Sequence, residues 1–306
     1  MSLISPKTSG VFVIAVTPFD EAGGIDRDSI ATMVDFYFDK GADGLTILGM
    51  MGEAPKLTQA ESILVTRDTL ARADGRPVVV GVSAPGLAAV SELTKAVMDL
   101  GAAGVMVAPP HNLRTDDQII GYYRSVVDAV GADVPLVLQD FPLATGVSIA
   151  PRILGAIFEA LPSIVMLKHE DWPGLSKITE LREAESRGRR RTSILCGNGG
   201  MFLTEEMRRG ADGAMTGFAY PEMMVGVCAL NAQGRFEAAQ DLFDAYLPLA
   251  RYEQQPGLGL AVRKYVLARR GAIASADQRR PGAVLDARAI ADVETLIARQ
   301  TRKLEM

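Results

Sequence analysis

The segment Gly41-Ala42-Asp43-Gly44 joins an amphipathic stretch to a short apolar run, Leu45–Leu48. Closely similar turns recur as Gly101-Ala102-Ala103-Gly104 and Gly210-Ala211-Asp212-Gly213. Glycine commonly ends a helix, and short apolar runs bounded by turn residues are typical of strands. These turns therefore predict a connection that leads repeatedly from a helix into a buried strand.

The same alternation extends along most of the chain. Apolar runs predict eight strands, at Val11–Val16, Gly44–Leu48, Pro77–Val82, Gly104–Ala108, Val134–Gln139, Ile164–Lys168, Ser193–Cys196 and Gly213–Thr216. Amphipathic stretches predict a helix after each strand, at Arg27–Lys40, Thr58–Ala73, Leu87–Leu100, Asp116–Val130, Ala150–Ala160, Leu175–Arg187, Met201–Arg209 and Glu222–Asn231. Continuously apolar strands are typical of a parallel sheet that helices cover on both faces. Eight such units predict an α/β fold, a (βα)8 TIM barrel. The alternative is a doubly wound open sheet, but no GxGxxG pattern opens the first helix.

The last part of the chain has a different pattern. Three further helices are predicted at Arg235–Ala250, Leu258–Arg270 and Asp286–Leu304, with no linker before them. We therefore predict a barrel over residues 1–231 and a C-terminal helical extension, packed on the barrel, over residues 232–306.

Composition excludes several classes of protein. The 306 residues are 48% hydrophobic and 23% charged, which is ordinary for a globular protein, and the net charge of −5 lacks the basic footprint of a nucleic-acid-binding protein. No apolar run approaches a membrane span. With only two histidines and two cysteines, a zinc site is not expected, and we predict no metal and no cofactor. Isolated thiols without a signal-peptide pattern predict a cytoplasmic location. The basic run Arg187–Arg191 is interpreted as a solvated loop.

In such a barrel, the active site lies at the mouth formed by the carboxyl ends of the strands. Lys168 ends the sixth predicted strand, and with a period of two residues it shares a face with Ile164 and Met166. If that face is the barrel interior, desolvation favours the neutral amine, which can attack a ketone to form a Schiff base. The alternative is that Lys168 only marks the point where the strand reaches solvent.

Two glycine-rich strand ends could approach a small anion with backbone N–H groups. Gly49, Met50, Met51 and Gly52 follow the second strand, ahead of a helix, where a carboxylate can bind without a cationic side chain. Gly197-Asn198-Gly199-Gly200 offers the same close approach after the seventh strand. The alternative for both segments is ordinary turn chemistry.

Together these features resemble a known family. The order of Gly49–Glu53, then Asp140–Gly146, then Lys168 is similar to that of the dihydrodipicolinate synthase / N-acetylneuraminate lyase family of class I aldolases, from about Val11 to Pro281. The resemblance implies a (βα)8 barrel with a helical extension and usually a homotetramer. It also implies that a pyruvate-type 2-oxo acid forms an imine with Lys168.

The chain departs from the family pattern at several positions. Met50 and Met51 stand where the family has two hydroxyl residues, and Gln139 stands where it usually has a tyrosine that relays protons. Ala144 occupies the position where dihydrodipicolinate synthases have an arginine. His111 corresponds to the tyrosine that one subunit lends to another.

A branch of the family resembles the chain more closely. Gln139–Pro142, Gly213–Gly217 (which includes Met215) and Leu247–Leu249 resemble segments of the 2-keto-3-deoxy-sugar-acid dehydratases, which also lack the tyrosine. We accordingly include Met215, with Gly49–Gly52, Gly197 and Asn198, among the candidate substrate-binding residues.

Because Gln139 cannot titrate, another group must move protons. His111 is an imidazole on a mouth loop, Asp140 follows Gln139, and Glu170 returns to the side of Lys168 if the strand continues. His169 is expected to face the helix layer as a hydrogen-bonded structural residue. Glu53 could be catalytic, but it is interpreted as a carboxylate that interacts with a helix dipole or caps a helix. Water held by the substrate's own carboxylate is the remaining alternative.

The sequence thus predicts a Schiff-base-forming lyase that dehydrates or cleaves a 2-keto-3-deoxy sugar acid. The alternatives are a dihydrodipicolinate synthase, which condenses pyruvate with aspartate semialdehyde, and a catalytically silent barrel that binds a metabolite. A metal-dependent barrel enzyme is a further alternative. The catalytic candidates are Lys168, Gln139, Asp140, His111 and Glu170.

Overall fold

The computed structural model describes residues 2–172 and 174–305 and contains a closed eight-stranded barrel. All neighbouring strands are parallel and follow the chain order, and the eighth strand pairs with the first. The strands are β1 Gly10–Ile14, β2 Gly44–Ile47, β3 Val78–Gly81, β4 Gly104–Val107, β5 Leu136–Asp140, β6 Ile164–His169, β7 Ser193–Cys196 and β8 Gly213–Ala214. The predicted TIM barrel is confirmed, and the open sheet is excluded.

Helices alternate with the strands and continue after the barrel closes. They are α1 Arg27–Asp39, α2 Gln59–Ala73, α3 Leu87–Asp99, α4 Asp116–Val130, α5 Pro142–Thr145, α6 Pro151–Ala160, α7 Leu175–Ser186, α8 Leu203–Arg208, α9 Pro221–Ala232, α10 Phe236–Glu253, α11 Gly259–Arg269 and α12 Ala287–Leu304. The short α5 was not predicted. Helix α8 begins two residues later than predicted, because Phe202 has non-helical backbone angles (φ −128°, ψ 24°) and precedes the first helical residue, Leu203.

The turn at Gly41 shows why the repeated motif ends a helix. Gly41 has φ of +90° and donates its N–H to the carbonyl of Phe38, while Ala42 donates to the carbonyl of Tyr37. A side chain at position 41 would be strained by this left-handed conformation. The turn thus satisfies the last carbonyl groups of α1 and directs the chain into β2.

Two apolar layers form the core. One fills the barrel interior and contains Phe12, Ile14, Val79, Met106, Val137, Met166, Leu195 and Met215, among others. The other lies between the strands and the surrounding helices and contains residues such as Leu138, Leu167 and Leu181. Side chains on neighbouring positions of a strand therefore enter different layers, which determines which strand-end residues reach the mouth.

The C-terminal helices pack on one another and on the barrel. Helix α10 contacts α8, α9, α11 and α12, and it extends to Glu253, beyond the predicted end at Ala250. The division into residues 1–231 and 232–306 stays a prediction, and its outermost residues, Met1 and Met306, lie outside the described ranges.

Three further findings bear on predictions made from the sequence. Within the described ranges, no helix is long and apolar enough to cross a membrane. Cys196 and Cys228 are both free and buried. The interpretation of Arg187–Arg191 as a solvated loop is wrong for two of its members, since Arg190 donates to the carbonyl of Ile164 and Arg191 pairs with Glu185 and Asp212.

Candidate active site

Lys168 points into the mouth of the barrel. It follows Met166, which lies in the interior layer, and Leu167, which lies in the outer layer, so alternation places its side chain on the interior side. Only 4% of the residue is exposed. The expectation that Ile164 shares this face is wrong, because an irregularity opposite Leu136 and Val137 shifts the register of β6 and Ile164 joins the outer layer.

The amine of Lys168 faces a buried carboxylate. Its Nζ lies 2.9 Å from Oε2 of Glu170, and the Nε2 group of Gln139 donates to the same oxygen at 2.6 Å. Gln139 and Lys168 are directly opposed on β5 and β6, so the backbone register places both side chains together. We refer to Lys168, Glu170 and Gln139 as the lysine triad. It combines an amine, a group that can accept a proton and a fixed amide in a site that is almost closed to solvent.

Gly197 and Asn198, which follow β7, support Glu170. A Cβ atom on Gly197 would lie 2.7 Å from Oε1 of Glu170 and closer still to its Cγ, so only glycine leaves room for this side chain. The Nδ2 group of Asn198 donates to the backbone carbonyl of Glu170 at 3.0 Å. The two residues were predicted as substrate contacts, and the structure shows them in contact with the lysine triad.

The predicted anion loop forms a tight turn at the mouth. Met50–Gly52 is a short 3-10 helix, flanked by Leu48 and Glu53, which both have φ of +55°. The N–H groups of Met50 and Met51 have no partner within the turn and are available to an anion. Met51 packs against the interior layer that contains Met215, whereas Met50 is 44% exposed.

Asp140 and His169 lie on the other side of the barrel wall. Each follows an inward-facing residue, and Asp140 Oδ2 lies 2.6 Å from Nζ of Lys177, which also pairs with Asp171 at 2.9 Å. Burial raises the pKa of Asp140 to about 6, although the ammonium of Lys177 opposes this shift. Asp140 was a catalytic candidate, but the structure pairs its carboxylate with Lys177 and leaves Glu170 beside the reactive amine.

His169 is buried and faces the helix layer, as predicted, but the prediction that its ring is hydrogen-bonded is wrong. Burial lowers its pKa to about 4, and neither ring nitrogen has a hydrogen-bond partner among the described residues. Gly174 lies directly against the ring.

His111 stands apart from the lysine triad. It is exposed on the loop after β4, where its backbone carbonyl accepts a hydrogen bond from Arg114 at 2.6 Å. No hydrogen bond joins its imidazole to Lys168, Glu170 or Gln139.

Sequence reasoning missed Lys177 and assigned the wrong role to Glu53. Lys177 occupies a position of α7 that faces the core together with Ile178 and Leu181, and this spacing was a usable signal. Glu53 does not cap a helix as interpreted. It is 1% exposed and pairs with Lys264 at 2.7 Å and with Lys56 at 2.8 Å. No local pattern connects Glu53 to a residue of α11.

Comparison with known proteins identifies the family of the chain. Residues 7–300 match the model of the dihydrodipicolinate synthetase family. L-2-keto-3-deoxyarabonate dehydratase of Azospirillum brasilense is 30% identical over 282 residues, which cover 90% of this chain and 89% of that protein. A 4-hydroxy-tetrahydrodipicolinate synthase of Persephonella marina is 29% identical over 244 residues, covering 78% and 80%.

A solved structure extends the similarity. The protein described as dihydrodipicolinate synthase from Rhodopseudomonas palustris is 52% identical, with a TM-score of 0.96 and coverage of 98% of this chain and 100% of that chain. The match in sequence runs through nearly the whole barrel and its helical extension. The chain therefore belongs to the dihydrodipicolinate synthetase family and is a Schiff-base-forming lyase.

Proposed function

We propose that the chain dehydrates a 2-keto-3-deoxy sugar acid, which it holds as an imine on Lys168. The observation that carries the proposal is the lysine triad, in which Glu170 lies 2.9 Å from the amine and accepts a hydrogen bond from Gln139, the residue that the resemblance aligns with a tyrosine. A carboxylate beside the reacting carbons can take and return a proton, whereas the amide of Gln139 can only orient it.

Binding begins with the carboxylate of the 2-oxo acid. The N–H groups of Met50 and Met51, at the start of this turn, can donate hydrogen bonds to this anion without a cationic side chain. The nitrogen of Lys168 then forms a bond with C2, and the ketone oxygen leaves as water, so that an ammonium and a ketone become an iminium and water. The iminium draws electrons from the neighbouring carbon.

Glu170 carries the proton in the following steps. Its carboxylate takes a proton from C3, which leaves an enamine, and the enamine electrons expel the hydroxyl group at C4. The proton on Glu170 joins this hydroxyl, which departs as water. A second water hydrolyses the carbon–nitrogen bond and restores the ammonium of Lys168. The net change is the loss of one water from the substrate.

The same imine supports two other reactions. In an aldol cleavage, Glu170 would instead take the proton of the C4 hydroxyl, and the bond between C3 and C4 would break to give an aldehyde and an enamine. Glu170 would then return the proton to C3, and water would hydrolyse the iminium to release pyruvate and restore the ammonium of Lys168. The imine could also support a synthase reaction, in which pyruvate condenses with aspartate semialdehyde. The 52% identity to the R. palustris protein, described as a dihydrodipicolinate synthase, favours this alternative. It is opposed by Ala144, which cannot bind a second carboxylate as the arginine of the resemblance would.

Reductive trapping tests the imine directly. Borohydride added with pyruvate is expected to leave a stable mass on the peptide that contains Lys168. The variant Lys168→Ala should show no adduct, whereas Lys95→Ala, which changes an exposed lysine of α3, should match the wild type. Absence of an adduct with pyruvate and with keto-deoxy acids would contradict the proposal.

A substrate panel separates the reactions. With 2-keto-3-deoxy pentonates and hexonates, a dehydratase yields a product lighter by one water, and an aldolase releases pyruvate. A synthase consumes pyruvate only when aspartate semialdehyde is present. Binding without turnover on every substrate would indicate the silent metabolite-binding barrel instead. A homotetramer in the cytoplasm stays a prediction, and sedimentation analysis would measure the number of subunits.

A further inference from the structure

The loop at the second strand end is held in a strained conformation. Leu48 and Glu53 flank its 3-10 turn, and both have the left-handed φ of +55° that residues with a side chain seldom adopt. Such angles persist only where surrounding contacts determine them. The hydroxyl of Thr17 donates to the carbonyl of Gly52, but this bond secures only one peptide of the loop.

The main anchor is the side chain of Glu53. Its carboxylate is buried and lies 2.7 Å from Nζ of Lys264, 2.8 Å from Nζ of Lys56 and 3.2 Å from the backbone nitrogen of Arg279. Lys264 and Arg279 lie outside the barrel strands, on α11 and in the segment that follows it. The loop after β2 is thus tied to the C-terminal extension as well as to Lys56, its neighbour in the chain.

Lys264 links Glu53 to the segment that follows α11. It has no exposed surface, its Nζ donates to the carbonyl of Asp277 at 2.7 Å, and it lies 4.5 Å from the centre of the Phe19 ring. Burial lowers the pKa of Lys264, and the carboxylate of Glu53 opposes this shift. Removal of the ammonium would leave Glu53 with the backbone N–H of Arg279 and with Lys56, whose side chain is partly exposed.

We propose that Lys264 is a positioning residue for the turn Met50–Gly52, through which the C-terminal extension sets the affinity for the substrate's carboxylate. This inference rests on the proposed function, in which that turn binds the carboxylate. Lys264 acts through Glu53 and does not touch the reacting atoms. Its loss should weaken binding of a 2-oxo acid and leave the lysine triad intact.

The experiment measures trapping by borohydride at increasing pyruvate concentration, in the full chain. For Lys264→Met we expect the half-saturating concentration to rise about tenfold or more, with the extent of labelling at saturation within about twofold of wild type. Glu53→Gln should shift in the same direction. Lys264→Arg, which keeps the charge, should restore most of the affinity. Arg269→Met, on the same helix but in an exposed pair with Glu294, is the matched control and should behave as wild type.

Hydrogen exchange of the amides in residues 48–56 provides a second measurement. Faster exchange in Lys264→Met, confined to this loop, supports the inference, and it can be read in Glu53→Gln if Lys264→Met fails to fold. An unchanged half-saturating concentration in folded Lys264→Met overturns the inference and leaves the proposed function standing. No adduct in the wild-type protein overturns the proposed function and this inference with it.

Discussion

Glu170 shares one oxygen between the amine of Lys168 and the amide of Gln139. Two donors on one oxygen fix the carboxylate beside the amine without using the second oxygen, Oε1. This arrangement suits a group that must accept a proton from the substrate rather than merely pair with a lysine.

The role of Glu170 is tested by Glu170→Gln. The amide keeps the shape of the side chain but cannot accept a proton from carbon, so we expect turnover of the keto-deoxy acid to fall by about 10²–10⁴. The pyruvate adduct on Lys168 should still form. Steady-state kinetics with borohydride trapping checks both parts, with Glu180→Gln, on the exposed face of α7, as control. Turnover within tenfold of wild type would show that another group moves the proton.

His169 predicts a specific dependence of stability on pH. Its pKa is about 4 in the folded protein and near 6.5 when unfolded, so the folded state binds fewer protons between these values. Stability is therefore present above pH 6.5 and is lost as the pH falls towards 4, by up to about 3 kcal/mol. Asp140, whose folded pKa is raised to about 6, has the opposite sign in the same range.

The variant His169→Asn isolates the histidine contribution, because Asp140 is common to both proteins. Relative to wild type, the variant should gain up to about 3 kcal/mol between pH 6.5 and pH 4. Denaturant unfolding at several pH values measures this difference. Parallel pH curves for the two proteins would be inconsistent with a buried neutral His169.

At the scale of elements, the positions of the strands were easier to predict than which of their side chains face the barrel interior. The eight strands and the helices after them follow from local patterns of apolar residues and from turns such as Gly41–Gly44. The register of β6 does not, since one irregularity opposite Leu136 and Val137 moves Ile164 to the outer layer. The irregularity does not change the orientation of Lys168 relative to Met166, because both residues follow it along β6.

The end of β7 gives an element-scale prediction. In Gly197→Ala the new methyl group would overlap the side chain of Glu170 and force it away from Lys168. We expect turnover to fall about a hundredfold, since displacements near 1 Å in a catalytic group can have effects of this size. Gly155→Ala is the control, because a Cβ atom at that position of α6 meets nothing within 4 Å. Kinetics with a folding check by circular dichroism would decide, and full activity in Gly197→Ala would refute the steric argument.

At the scale of the whole molecule, the helical extension contacts several loops of the mouth. Arg263 of α11 pairs with Glu253 at 2.6 Å and donates to the carbonyl of Gly217 after β8, while Glu253 accepts from the backbone of Ala219. Lys264, the next residue, holds Glu53 after β2. Neighbouring residues of one helix therefore bind loops at two strand ends.

The buried pair of Arg263 and Glu253 predicts a large effect on stability. Arg263→Met leaves a buried carboxylate without its partner and should lower the free energy of unfolding by about 3–5 kcal/mol. The double variant Arg263→Met/Glu253→Gln should lose less, because no charge remains to be compensated. Denaturant unfolding measures both, with Arg269→Met expected within about 0.5 kcal/mol of wild type. A double variant less stable than Arg263→Met would contradict this explanation.

The sequence by itself determined the barrel, the helices after it and the position of Lys168 at a strand end, because apolar periodicity and glycine turns act over a few residues. Only the tertiary structure decided that Glu170 faces this lysine while Asp140 pairs with Lys177, since the choice depends on strand register and on side chains from neighbouring strands and helices. It alone also joined Glu53 to Lys264, because ion pairs between distant segments form only when the chain packs and leave no periodic signal in the sequence.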